Sequence, residues 1–279
     1  MFPPHAAGSS ELRLRVLSSA ALGAVALGSA WLGGWLLAIV WLGAAIAVVH
    51  EWTAMTRAAP VPALSVAAGV GLAAIQGSWI FGTPLVFACV VAAAVAALAA
   101  IARTGRDRAW AVAGLAYAAP IALVPVMFRV HPGGSLTPLL WMFAVVWTTD
   151  VAAYFVGRAV GGPKLWPAVS PNKTWSGFAG GLAGAMVAGT AVAALGAAQP
   201  LQALDIAALV VLSGLASGAS QAGDLAESAM KRRFGVKDSG SLIPGHGGFM
   251  DRLDGFAAVA ILVFLLAPFA KTSFWAVAP

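Results

Sequence analysis

Charge is what this sequence has least of. Lys, Arg, Asp and Glu make up 9% of its 279 residues, and only 10 of them are acidic. Such a chain cannot cover itself with the mixed charged surface that keeps a soluble domain in water. Cysteine is nearly missing as well: Cys89 stands alone in an apolar run, so an intrachain disulfide is excluded and the redox compartment is not legible. The four histidines do not cluster with it, which argues against zinc. An internal repeat is lacking, so the inverted-repeat transporter pattern is not suggested. A net charge of +6 with a pI near 10.1 does not mean nucleic-acid binding here. The basic residues lie in short loops between apolar runs, where topology signals live.

What is there is apolar. The chain is 61% hydrophobic with a mean hydropathy of +0.89. Long apolar runs satisfy their backbone in lipid only as helices, so the expectation is an all-α, polytopic membrane protein. Residues 1–10 read as a flexible tail. Apolar runs follow at about 16–30, 35–49, 61–80, 84–102, 109–128, 137–156, 177–197, 204–222 and 255–277, giving nine spans. The first run could be taken for a secretory signal, since Leu27-Gly28-Ser29-Ala30 looks like a cleavage region; an uncleaved span is preferred. It pairs with the second as a hairpin across Gly33-Gly34. With the N-terminus in the cytoplasm, 14 of the 16 basic residues fall on the cytoplasmic side, leaving Arg129 and Lys271 outside. Residues 1–135 then supply N-terminal membrane helices, and residues 136–279 form a C-terminal membrane region that carries the polar segments in which a catalytic site would be sought.

The polar residues gather in two islands. Residues 228–254 hold eight of the charged residues: Lys231-Arg232-Arg233, Lys237-Asp238, and Asp251-Arg252 with Asp254, interrupted by Pro244-Gly245-His246-Gly247-Gly248. Just before them, Asp224, Ser228 and Lys231 share one helix face at i, i+4 and i+7. Glu227 and Lys231 have the spacing of a simple helix salt bridge. Asp251 and Asp254 share a side at the start of the last span, where a carboxylate could equally be a cap. His246 could bond backbone or donate to a phosphate. The earlier island has Asp150 inside the sixth span, Tyr154 one turn on, then Arg158, Lys164 and the run Ser170-Pro171-Asn172-Lys173-Thr174-Trp175-Ser176-Gly177. An aspartate within a span is a functional candidate by default. His50-Glu51-Arg57 and the 103–108 basic cluster read as topology anchors or contacts to anionic lipid, and the 11 Trp as an aromatic belt.

Residues 228–254 resemble the signature of the phosphatidate cytidylyltransferases, the CDP-diacylglycerol synthases, in Ser228, Lys231, Arg232, Lys237-Asp238, Gly240, Pro244, His246-Gly247-Gly248, Asp251-Arg252 and Asp254. The run 170–177 resembles a second motif of that family, with Asn172 and Ser176 departing from its usual residues. The resemblance spans roughly residues 150–254. It implies transfer of a cytidylyl group from CTP to phosphatidate at an inner-membrane site facing the cytoplasm. It implies Mg²⁺ on Asp224 and Asp251, with room for a second, monovalent cation. Lys231, Arg232, His246 and Asp254 would be catalytic. Ser170, Lys173, Thr174, Ser228, Lys237, Asp238, Gly247, Gly248, Arg252, Asp150 and Tyr154 would contact substrate. Helices rich in Gly and Ala would permit a homodimer. Two rivals were weighed. A CDP-alcohol phosphotransferase would need a longer carboxylate motif than Asp254-Gly255. A transporter or channel could use Asp150 and Asp224 for ions, but needs no polar loop at 246–248.

The nine-span count makes a direct prediction. A reporter fused after Pro279 should lie outside the cell, and one inserted between Arg103 and Arg108 in the cytoplasm. A cytoplasmic C-terminal reporter would put the count wrong by one.

Overall fold

Apolar runs without internal polar partners leave the backbone one way to satisfy its N–H and C=O groups in lipid, and the chain takes it. In a computed structural model, which describes residues 9–131, 133–197, 200–243 and 247–269, nine helices occur among the described residues. They are α1 (Ser9–Leu32), α2 (Gly34–Thr56), α3 (Val61–Phe81), α4 (Pro84–Ile101), α5 (Gly105–Arg129), α6 (Thr137–Val160), α7 (Trp175–Leu195), α8 (Ala203–Arg233) and α9 (Met250–Leu266). Seven of these, α2 to α8, are long and apolar enough to cross a membrane. The apolar part of α1 (Val16–Leu32) and α9 are shorter; the 17 residues of α9 still reach the lower end of spanning length, about 17. Of the expected tail at 1–10, residues 1–8 lie outside the described residues, as do the end of the last run and Lys271, while Ser9 and Ser10 already belong to α1.

Local chemistry sets the helix boundaries. Thr83, Thr104 and Thr174 are N-caps whose hydroxyls accept from Val86, Asp107 and Gly177 backbone N–H groups. Gly33, at φ +66°, breaks the chain between α1 and α2. The Arg129 guanidinium donates to the Ala30, Trp31 and Gly134 carbonyls, tying the ends of α1 and α5 together. One element was not foreseen: an antiparallel hairpin of β1 (Lys164–Trp166) and β2 (Ser170–Thr174) follows α6. The earlier polar island is thus a hairpin running straight into α7.

Packing follows side-chain size. α5 is the most buried of the spans, with Ile121, Val124 and Phe128 fully enclosed. Trp41, Phe143 and Phe256 stack with centroids 4.6–6.0 Å apart and lock α2, α6 and α9 into one core. α6 and α7 approach on glycine: a Cβ at Gly177 would sit 2.7 Å from the Ala153 carbonyl oxygen, and one at Gly180 would strike Val156. Without a hydrophobic drive between helices in lipid, such small-residue contact is what holds them together.

Candidate active site

The same device builds the polar site. On α8, a Cβ at Gly223 would lie 2.8 Å from the Asp254 carbonyl oxygen of α9; on α9, one at Gly255 would lie 2.5 Å from the Ser220 hydroxyl of α8. The two backbones therefore meet at these glycines. The residues next to them, Asp224 and Asp254, are brought within electrostatic reach of each other. Asp150 on α6 lies within reach of both.

The earlier island arrives from the other side. Lys173, on β2, places its ammonium on the Asp224 carboxylate. Ser228, one turn on from Asp224, donates to the same carboxylate at 3.4 Å, so these two share the face their spacing predicts, while Lys231 turns to Glu227 and Asp251. Two stretches some 50 residues apart meet in one cluster, inside the roughly 10 Å over which unscreened charges couple.

Lys231 sits between two carboxylates. Its ammonium lies 2.7 Å from Asp251 Oδ1 and 3.1 Å from Glu227 Oε1. Asp251 Oδ2 accepts from the backbone N–H groups of Ser239 at 3.0 Å and Gly248 at 2.9 Å. Asp251 is therefore also a clamp on the polar loop. Glu227 is almost wholly buried at 2% exposure, within electrostatic reach of Asp254 and Asp251. Its Oε2 is buried without a hydrogen-bond donor. Such an atom is costly to keep unless a proton or a cation meets it.

Sequence reasoning missed Glu51. Read as a topology anchor, it instead reaches from α2 into the polar loop and is 2% exposed. Its Oε1 accepts from Phe249 N at 3.0 Å; its Oε2 accepts from Met250 N at 2.9 Å and from Ser239 Oγ at 3.1 Å. A carboxylate on the first N–H groups of α9 satisfies donors that have no partner within the helix and meets the positive end of its dipole. Glycines at 240 and 248 are required here because a Cβ at either would strike the Glu51 carboxylate. The only sequence signal was an acidic residue at the end of an apolar run, beside Trp52. Its partners lie about 190 residues along the chain.

The remaining candidates divide. Ser170 is half-buried on β2, and Arg232, Lys237 and Asp238 are exposed at and beyond the end of α8. Gly247 adopts φ +82°, and a Cβ there would lie 2.9 Å from Asp251 Oδ2, so both glycines of this pair serve the loop's packing. Thr174 is buried and its hydroxyl caps α7, a structural task where substrate contact was expected. Ser176 bonds the Gly161 carbonyl, holding the start of α7 to the end of α6. Tyr154 is exposed and accepts from Arg158 at 2.9 Å, which turns it towards the chain's own cation. Arg252 is exposed. His246 lies outside the described residues.

Removing the Glu51 carboxylate leaves two helix N–H groups and a buried hydroxyl without acceptors. Glu51→Ala should therefore cost about 2–4 kcal/mol, and Glu51→Gln, which keeps one acceptor, less. Thermal unfolding in detergent measures both; equal midpoints for Glu51→Ala and wild type would remove Glu51 from the framework.

The cytidylyltransferase family model matches residues 13–269. A phosphatidate cytidylyltransferase of Brucella suis is 41% identical over 259 residues, 92% of this chain and 93% of its own. One from Brucella abortus strain 2308 matches to the same extent. One from Bacillus subtilis is 47% identical over 136 residues, 48% of this chain and 49% of its own. With the match running through all nine helices and both polar islands, the chain belongs to the cytidylyltransferase family.

Proposed function

We propose that the cluster around Asp224, Lys173, Lys231 and Asp251 is where this chain transfers a cytidylyl group from CTP to phosphatidate. The observation that carries this reading is the Lys173–Asp224 pair, which joins the family's two motifs in one site. A phosphate oxygen of phosphatidate forms a bond to the α-phosphorus of CTP. The bond from that phosphorus to the oxygen bridging to the β-phosphate breaks, giving CDP-diacylglycerol and pyrophosphate. The attacking oxygen is already ionised near neutral pH, so no general base and no covalent enzyme intermediate is needed. The task left to the protein is to bring two polyanions together and stabilise the charge that builds on pyrophosphate.

Lys173 and Lys231 do the first part of that work, each exchanging a carboxylate for a phosphate. Ser228 and Ser170 add hydrogen bonds, and Arg232 supplies further charge at the open end of α8. Among the described residues no three His, Cys, Asp or Glu side chains form a ready metal cage. Mg²⁺ needs no such cage, since it is held by one or two carboxylates together with substrate phosphates. The donor-less Glu227 Oε2 beside Asp251 and Asp254 also fits a site that admits a cation. Asp224 and Asp251 would hold the ion, with Asp254 close by; bound there, it neutralises phosphate charge. In this reading the site faces the cytoplasm from the inner membrane, where the basic loops lie, and the Gly- and Ala-rich helices permit a homodimer. An ion pathway through Asp150 and Asp224 has no support in the family to which the chain belongs.

Purified protein assayed with CTP, phosphatidate and Mg²⁺ tests the reading. Asp251→Asn should lose about a hundredfold or more of turnover, the scale of removing a group that positions transition-state charge, while still inserting in the membrane. Activity within about threefold of wild type would sink the assignment of Asp251. Lys231→Ala and Arg232→Ala should each lose far more turnover than Arg106→Ala, which sits in the 103–108 cluster. Equal losses would mean that basic residues act only through the membrane surface.

A further inference from the structure

A cavity of about 550 Å³ opens between α3, α4, α5 and α9, and nothing in the reaction scheme uses it. The volume is that of a ligand site, which commonly falls between about 300 and 1,000 Å³. Its walls are apolar: Phe87, Val91 and Val95 from α4 face Leu115 and Leu123 from α5 and Ile261 from α9. Tyr117 is the single lining residue with a polar side chain.

Tyr117 is also the link to the site. Its hydroxyl is buried with no hydrogen-bond partner, although a buried phenol ordinarily finds one. Its ring is fixed by stacking on Trp52, centroids 5.1 Å apart. The side chain lies within electrostatic reach of Glu227, Asp254, Asp224 and Asp251. Tyr117 thus ties the cavity wall electrostatically to the carboxylate cluster. α9 makes the same connection: Asp254 and Ile261 are seven residues apart on one helix face, about 10 Å along the axis. The cavity thus lies deeper along α9 than the polar cluster, and one of its lining residues carries an unsatisfied hydroxyl. α4, which forms one wall, is the least buried of the spans, so a single helix separates the cavity from the bilayer on that side.

We propose that this cavity receives one acyl chain of the phosphatidate, with the Tyr117 hydroxyl donating to an oxygen of the glycerol-ester region at its mouth. The proposal rests on the placement of the reaction at the Asp224–Asp251 cluster. A lipid whose head group must reach those residues carries its ester oxygens one step deeper and its chains deeper still. Along α9 the carboxylate precedes the cavity wall, Asp254 before Ile261, as phosphate precedes hydrocarbon in the lipid. The cavity therefore contributes to selecting a long-chain substrate and to setting the depth at which its phosphate is presented.

Three measurements test this. Val91→Phe and Val95→Phe, on the least enclosed helix, fill the cavity. In mixed micelles at fixed surface fraction, they should raise the ratio of KM for dipalmitoyl over dihexanoyl phosphatidate by at least about fivefold, the low side of what a misshapen apolar pocket yields. A ratio within about twofold of wild type overturns the proposal. Tyr117→Phe should raise the KM for phosphatidate and not that for CTP; equal changes in both would assign Tyr117 to the framework alone and overturn its part. The third measurement needs no variant. Phosphatidate carrying a diazirine at the end of one chain should label α4, α5 or α9 of the wild-type protein, suppressed by excess phosphatidate and not by phosphatidylcholine. Labelling confined to other helices, or suppressed equally by both lipids, overturns the proposal. Wild-type turnover of dihexanoyl phosphatidate separates the two levels: its absence together with that of dipalmitoyl turnover would overturn the reaction assignment, whereas its presence with an unchanged ratio overturns only the cavity's occupant.

Discussion

A charge near the bilayer must have its opposite beside it, and Lys231 shows what that demand does to this fold. One ammonium lies between Glu227 on its own helix and Asp251 on α9. Asp251 in turn holds the backbone N–H groups of Ser239 and Gly248, so satisfying one lysine also fixes a loop. Lys173 and Asp224 repeat the arrangement between β2 and α8. Removing one partner of Lys231 strands the other charge where solvation is poor, which is the expensive outcome; Lys173 and Asp224 are more open to solvent and lose less. The pairs therefore tie the hairpin and the polar loop to helices that already pack on each other.

Whether charges could come so close was decided by the smallest residues. Gly223 and Gly255 let α8 and α9 touch at the level of Asp224 and Asp254, and Gly240 and Gly248 leave room for the Glu51 carboxylate. The glycines beside position 246 looked in the sequence like space for a phosphate. In the structure they make space for the protein's own carboxylates, Glu51 at Gly248 and Asp251 at Gly247.

The helices were legible because composition alone forces them: an apolar run has no other way to close its hydrogen bonds. The helix face carrying Asp224, Ser228 and Lys231 was legible for the same geometric reason, since 3.6 residues per turn needs no tertiary information. The hairpin at 164–174 was not, because its register depends on pairing Lys164 with Thr174 across a turn, and its short polar strands carry no period. Thr174 carried the signal of a helix cap, a threonine just before an apolar run, but the span was taken to begin at Gly177 and so concealed it. Glu51 is the case in which local reading is weakest. Nothing near it in sequence needs a carboxylate; the need arises at Phe249 and Met250, in the other half of the chain. The division into a generic N-terminal half and a catalytic C-terminal half hides this dependence, since α2 holds the polar loop and α5 brings Tyr117 to the cluster.

The same pairs explain how a site for two polyanions can stand at the bilayer edge. Substrates so negative call for a cluster of ammonium groups, and such a cluster repels itself when nothing offsets it. Asp224 and Asp251 supply the offset on the protein's own side. In the proposed mechanism each lysine leaves a carboxylate for a phosphate, and each carboxylate is left beside a bound cation, so one charge-assisted contact replaces another. The free-energy change of the exchange is then a difference between two strong interactions rather than the full strength of either. That favours turnover, because product that is clamped by the full strength of both lysines would leave slowly, and the waiting carboxylates compete for the lysines as pyrophosphate departs.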